Sequence, residues 1–214
     1  MSGFLPGDGT FQLLDVGAGA GLIGEYLRRD RPRARYRFIE PIDSLRDHLE
    51  QRFGVDARAD DVGSLEDMDV VTLLDVLEHQ RDDSGFLAGL LGRMRPDTPL
   101  ILTVPALPGL WSAWDVALGH HRRYRRGALR GLISSAGGVA DEVSYLFPEL
   151  VPAALVRRTR QPADRVATEA VEEFQFPDLP RWLNDLLYAI GTATQASRRG
   201  WPFGTSLLAV VRRA

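Results

Sequence analysis

The sequence predicts an α/β domain built on a doubly wound, mostly parallel sheet of seven strands, elaborated by a helical lid. Three observations carry this. Short apolar runs alternate along the chain with segments of helical periodicity, the pattern of strand–helix–strand units. The strongest runs, residues 70–74 (VVTLL) and 100–104 (LILTV), are apolar but for one threonine each, as strands buried on both faces are. The first run leads directly into a glycine-rich turn.

Taken in order, residues 11–16 (FQLLDV) form the first strand. Residues 21–29 follow as a helix, with Leu22, Ile23, Tyr26 and Leu27 at helical spacing. Residues 36–39 (YRFI) are the second strand, and 42–53 the second helix, with Leu45, Leu49 and Phe53 on one face. A weak third strand is expected at 55–59 and strong ones at 70–74 and 100–104, separated by a helix over 86–94. Residues 105–119, rich in Pro, Gly and Trp, read as a long loop. A helix at 127–136 and a sixth strand at 139–147 follow, and 204–211 (GTSLLAVV) closes the chain as the seventh. Residues 1–147 are thus expected to form the core, 148–200 a helical lid with amphipathic segments around 150–158 and 182–196, and 201–214 the last core strand.

The 214 residues suit one domain with a core of its own. There is no cysteine, which excludes disulfides, Cys-ligated zinc, iron–sulfur clusters and thiol nucleophiles. All 26 basic residues are arginine, which excludes Schiff-base and P-loop lysine chemistry. A net charge of −3 argues against a generic nucleic-acid binder. No stretch reaches the length of a membrane span and no export signal is visible, so a soluble, cytoplasmic protein is expected.

The segment Leu14-Asp15-Val16-Gly17-Ala18-Gly19-Ala20-Gly21 would bring backbone close to a ligand at the carboxyl end of the sheet. Gly19-Ala20-Gly21-Leu22-Ile23-Gly24 also satisfies the dinucleotide pattern, and Glu40 after the second strand suits ribose hydroxyls in either case. Asp15 favours a cationic ligand over a pyrophosphate. Asp15-x-Gly17-x-Gly19-x-Gly21 resembles motif I of the class I S-adenosylmethionine-dependent methyltransferases. Glu40, Asp60 in Ala59-Asp60-Asp61, and Leu73-Leu74-Asp75-Val76-Leu77-Glu78-His79 match further landmarks of that family, in the branch of the ubiquinone-biosynthesis O-methyltransferases. The resemblance covers residues 11–104 and reaches more loosely to Gly119-His120-His121-Arg122-Arg123-Tyr124. It implies a Rossmann-like sheet with its last strand antiparallel, and S-adenosylmethionine as cofactor, released as S-adenosylhomocysteine. It also implies a cofactor site made of Asp15, Gly17, Ala18, Gly19, Gly21, Glu40, Pro41, Ile42, Asp60, Asp61, Val62, Leu74, Asp75 and Val76. With only ten residues ahead of the first strand, the lid is expected from the later insertions.

The reaction expected is methyl transfer, most simply to oxygen, on a small or conjugated anionic acceptor. Histidine is the only side chain present that ordinarily titrates near neutrality. His120 is the expected general base, oriented by Asp115 or Glu78, with His79 and Tyr124 as further catalytic candidates. Trp111, Trp114, His121 and Arg123 are expected to bind the acceptor. Asp75, Glu78 and His79, with His120 or His121, imitate the Mg²⁺ set of small-RNA 2′-O-methyltransferases. Asp-Val-Leu-Glu-His is also frequent in metal-free relatives, and no metal is expected. Weak surface docking through 150–158, with Arg157, Arg158 and Arg160, is a minority reading. Two alternatives stay open: a nicotinamide-dependent oxidoreductase, disfavoured because no Tyr-x-x-x-Lys pair is possible, and a non-catalytic interaction module.

Overall fold

The computed structural model describes residues 5–7, 9–61, 65–160 and 180–214. The strands are β1 (Gln12–Val16), β2 (Arg35–Ile39), β3 (Val70–Leu74), β4 (Leu100–Pro105), β5 (Gly138–Leu146) and β6 (Ser206–Arg213). They form one sheet in the order β2-β1-β3-β4-β6-β5. β1 pairs in parallel with both β2 and β3, and β3 with β4, while β6 runs antiparallel to β4 and β5. The chain leaves β1 toward β2 and then crosses back to β3, so strand order reverses between β1 and β3. A ligand crevice is expected at the carboxyl ends beside such a reversal.

Both faces of the sheet are buried at its centre, which is why β3 and β4 are apolar runs broken by one threonine each. Neighbouring residues of β1 serve opposite faces. Leu14 joins Val71, Leu73, Leu102 and Val104 in the larger cluster, whereas Leu13 joins Val70 and Ile101 in the smaller. Helix α3 (Asp83–Arg93) lays Leu87, Leu90 and Leu91 on the first face, and α5 (Arg126–Ser135) adds Leu129 and Ile133. Helix α1 (Leu22–Asp30) covers the second face through Leu27, and α2 (Asp43–Phe53) buries Leu49 against Phe38 beside β2. Asp82 caps α3 by accepting from the Gly85 amide at 2.9 Å.

Among the described residues there are six strands, not seven. Residues 55–59 make a 3₁₀ turn, Val55–Ala57, and a single bridge between Phe38 and Arg58. The segment is too polar to sit as a strand: Val55 is exposed, and Arg58 reaches out to Glu50 and Asp60. The expected loop at 105–119 also holds structure, a 3₁₀ turn at Pro108–Leu110 and the short helix α4 (Ala113–Ala117). Between β5 and β6 lie α6 (Val151–Arg160) and α7 (Arg181–Ala196). Leu146 and Ser206, at the two ends of that excursion, are paired in the sheet. The intervening part of the expected lid, residues 161–179, lies outside the described residues, as does Val62. No described helix is long and apolar enough to cross a membrane.

Candidate functional site

The turn after β1 is shaped by three glycines in the left-handed region, Gly17 (φ 75°), Gly19 (φ 54°) and Gly21 (φ 77°). Two of them answer to different demands. A Cβ on Gly17 would collide with Val76, so the turn rests directly on the segment that follows β3. A Cβ on Gly19 would meet nothing within 4 Å, so here the backbone borders open space that a ligand can fill.

Two carboxylates hold this turn. Glu40, buried at the end of β2, accepts from the Gly19 amide (2.8 Å) and from the Ile42 amide (2.9 Å). Asp15 is only 2 % exposed and accepts from Thr72 Oγ1 (2.7 Å) and Tyr36 Oη (3.1 Å). Burial pushes the Asp15 carboxyl up to about 6 against the pull of those two hydrogen bonds. Each of its oxygens thus has one donor beneath the turn.

The other expected cofactor residues surround the crevice. Ala18 is part of the turn, and Pro41 and Ile42 are exposed beyond β2. Asp60, with its side chain 86 % exposed and ion-paired to Arg58, lines a cleft of about 350 Å³ together with Asp61, Arg37 and Met68. Leu74 ends β3, and Asp75 follows with φ 53°, a conformation that costs of order 1–3 kcal/mol in a non-glycine residue.

A second cavity, of about 440 Å³, opens from Asp75 and Glu78 toward α4, α6 and the start of β6. His120 lines it. Its Nδ1 lies 3.1 Å from Asp115 Oδ1, and its Nε2 lies 3.9 Å from Glu78 Oε1. Asp115 is fully buried and also accepts from Arg123 Nε (2.7 Å) and from the Ser112 amide in the capping box of α4. Burial alone would raise the Asp115 carboxyl, but the hydrogen bonds from His120 and Arg123 outweigh it and hold it below its ordinary value. An ionised carboxylate can only accept, so Nδ1 of His120 donates to Asp115, and in the neutral ring the lone pair then sits on Nε2.

Glu78 is different. It is fully buried, and neither oxygen has a hydrogen-bond partner among the described residues. Burial, and then the neighbouring Asp75 charge, push it up to about 8. His79 is exposed and meets the His120 ring edge-on at 4.9 Å. Burial and His120 both lower its pKa.

The remaining candidates divide. Trp114 and Arg123 line the cavity, although Arg123 is already engaged by Asp115 and by the Ala106 carbonyl (3.1 Å). Trp111 and the exposed His121 are not among its lining residues. Tyr124, expected as a catalytic candidate, is not among the residues that line the cavity. It is buried, donates to Asp83 Oδ2 at 2.8 Å, and has its pKa driven far above ten by burial and that bond. The sequence reading missed Arg157. Counted there among surface charges, it instead leaves α6 to lie 4.8 Å from the Trp114 ring centre and to line the cavity. No local signal could have placed it, since the contact spans more than forty residues.

The sequence model of a methyltransferase domain matches residues 4–140. No curated protein sequence matches the chain. Among solved structures the chain is similar to phosphoethanolamine N-methyltransferase 2 from Haemonchus contortus, solved with S-adenosyl-L-methionine. That pair has a TM-score of 0.62 at 13 % identity, over all of this chain and 51 % of that one. It is similar to an S-adenosylmethionine-dependent methyltransferase from Mesorhizobium loti, with a TM-score of 0.60 at 14 % identity over 99 % of this chain and 95 % of that one. It is also similar to the mitomycin 7-O-methyltransferase MmcR, with a TM-score of 0.55 at 15 % identity over 95 % of this chain and 49 % of that one. At such identities these likenesses speak for the fold, which serves methylation of both nitrogen and oxygen.

Proposed function

The chain belongs to the methyltransferase-domain family, with S-adenosylmethionine as cofactor, and on that premise we propose that it methylates a hydroxyl oxygen of a small or conjugated molecule that is partly apolar and anionic. The observation that carries this reading is His120. It faces a cavity of acceptor size with Asp115 behind Nδ1 and the lone pair of Nε2 turned inward.

The residues suit the cofactor: the turn has open space over Gly19, and Glu40 fixes the turn while keeping further lone pairs for ribose hydroxyls. Gly17–Gly21 would pass beneath the cofactor, and Asp60 would accept from its adenine amino group. The group supplies, when bound, a methyl already activated by a positive sulfur. The protein's work is therefore alignment and exclusion of water. Trp114, Leu110 and Phe147 give the acceptor an apolar wall, and Arg157 offers a cation for its anionic group. The acceptor's deprotonation depends on His120, whose orientation Asp115 fixes. Helices α6 and α7 would serve as the lid.

The test is thermal shift of the full chain with S-adenosylhomocysteine and, in parallel, NAD. Ligand at 100 times its dissociation constant adds about 2.7 kcal/mol of stability. A shift with the first compound alone, followed by methyl gain on hydroxy acids detected by mass spectrometry, is the expected result. No shift at millimolar S-adenosylhomocysteine defeats the reading.

A further inference from the structure

We propose that Glu78, His79 and His120 form a binding site for a first-row divalent cation, of the zinc and manganese class, at the mouth of the acceptor cavity. Each residue offers one ligand atom, and the three atoms lie within 4.8 Å of one another. The side chains come from two separate segments, the turn after β3 and the loop after α4, so the fold and not the local chain brings them together.

The chemistry of the convergence points to a cation. The Glu78 carboxylate is fully buried, and neither oxygen meets a hydrogen-bond donor among the described residues. A buried acceptor left without a donor costs of order 1–3 kcal/mol, and more when charged. Facing it at 3.9 Å is Nε2 of His120, which is also an acceptor because Nδ1 holds the proton for Asp115. The His79 ring hydrogen-bonds the Gly119 backbone carbonyl, and a neutral ring that donates from one nitrogen accepts at the other. With Glu78 ionised, three sets of lone pairs converge with no donor between them among the described residues. A cation satisfies all three at once.

The surroundings are those of a ligand set as well. Metal-binding imidazoles commonly give their second N–H to a carboxylate or a backbone carbonyl, which fixes ring and tautomer. Asp115 does this for His120, and the Gly119 carbonyl bonds the His79 ring. Two imidazoles and one carboxylate favour zinc, iron or manganese over the all-oxygen preference of magnesium, and leave coordination positions open on the cavity side. The inference deepens the proposed function and rests on its assignment of the cavity to the acceptor. A cation there would lower the pKa of an acceptor hydroxyl, so that the proton leaves to solvent before the methyl arrives. His120 would then serve as a ligand.

The experiment uses the full chain freed of metal by chelation, with ZnCl₂, MnCl₂ and CoCl₂ as probes and MgCl₂ for contrast. Zinc and manganese are expected to raise the melting temperature at submillimolar concentration, and cobalt to give visible ligand-field bands. H79A and E78Q should remove both signals, and D115N should weaken zinc binding about 10–100-fold. H48A, which changes an exposed histidine on α2, should leave them intact. S-adenosylhomocysteine binding, measured in every variant, reports folding and the cofactor site separately. Absence of any zinc, manganese or cobalt signal in the wild type overturns the metal site while leaving the methyltransferase reading standing. An equal signal in H79A and E78Q overturns it too.

Discussion

At the glycine turn each buried carboxylate has its donors. Asp15 takes hydrogens from Thr72 and Tyr36, and Glu40 takes them from Gly19 and Ile42. Across the crevice Glu78 is buried as deeply and takes none among the described residues. The difference separates two ways of building half a site. The cofactor side is held by donors of the chain itself. On the acceptor side Glu78 faces His120 without one, and the proposed cation would finish that arrangement.

The largest expected effect falls on the unfinished side. His120→Ala should lower kcat at least about a hundredfold, since loss of a general base or its equivalent costs about 10²–10⁴ in rate. Binding of S-adenosylhomocysteine should not change. Near-normal turnover on the true acceptor would show that alignment alone drives the reaction.

On the finished side, Glu40→Ala strands the Gly19 amide and removes the ribose acceptor together. With charge-assisted bonds worth roughly 1.5–3 kcal/mol each, affinity for S-adenosylhomocysteine should fall at least about tenfold by calorimetry. Normal affinity would mean that the end of β2 is not where the ribose sits.

The third prediction probes Asp15 through pH. Its folded pKa, about 6, stands above the ordinary 3.8 because burial disfavours the charge. Below about 3.8 it is neutral in both states. As pH rises the unfolded chain loses the proton first, so stability falls until about 6 and is level beyond. The whole effect is at most about 3 kcal/mol. In Asp15→Asn that slope should vanish, so the stability difference between variant and wild type should grow from pH 4 to 6 and then stay constant. A constant difference across that range would mean that Asp15 is not desolvated and that the turn has no buried support.

The same contrast explains what the sequence made legible. The turn, Glu40 and the run from Leu73 to His79 are local. Each lies within a few residues of the end of its own strand, so a short motif locates it. The strands of the core were equally plain, because burial on both faces writes itself as a mostly apolar run. Residues 55–59 misled because a few apolar letters among Asp and Arg cannot hold an edge strand. Tyr124 misled for the opposite reason. It stands among cationic residues close to the expected base and so reads as a catalytic candidate, yet its backbone bridges Ala106 and its ring is buried. The acceptor cavity joins α4, α6 and β6, and no spacing along the chain encodes that meeting.

The pairing of Leu146 with Ser206 means that the chain leaves the sheet after residue 146 and rejoins it at residue 206 on a single rung. For evolution such an excursion is close to a replaceable part. Doubling the length of a flexible loop costs only about 0.6 kcal/mol in closure entropy, and neither strand register nor the glycine turn needs to change. Descendants of one ancestral sheet could therefore exchange this segment, and with it Arg157 and the apolar wall, acquiring new acceptors while keeping the same methyl donor.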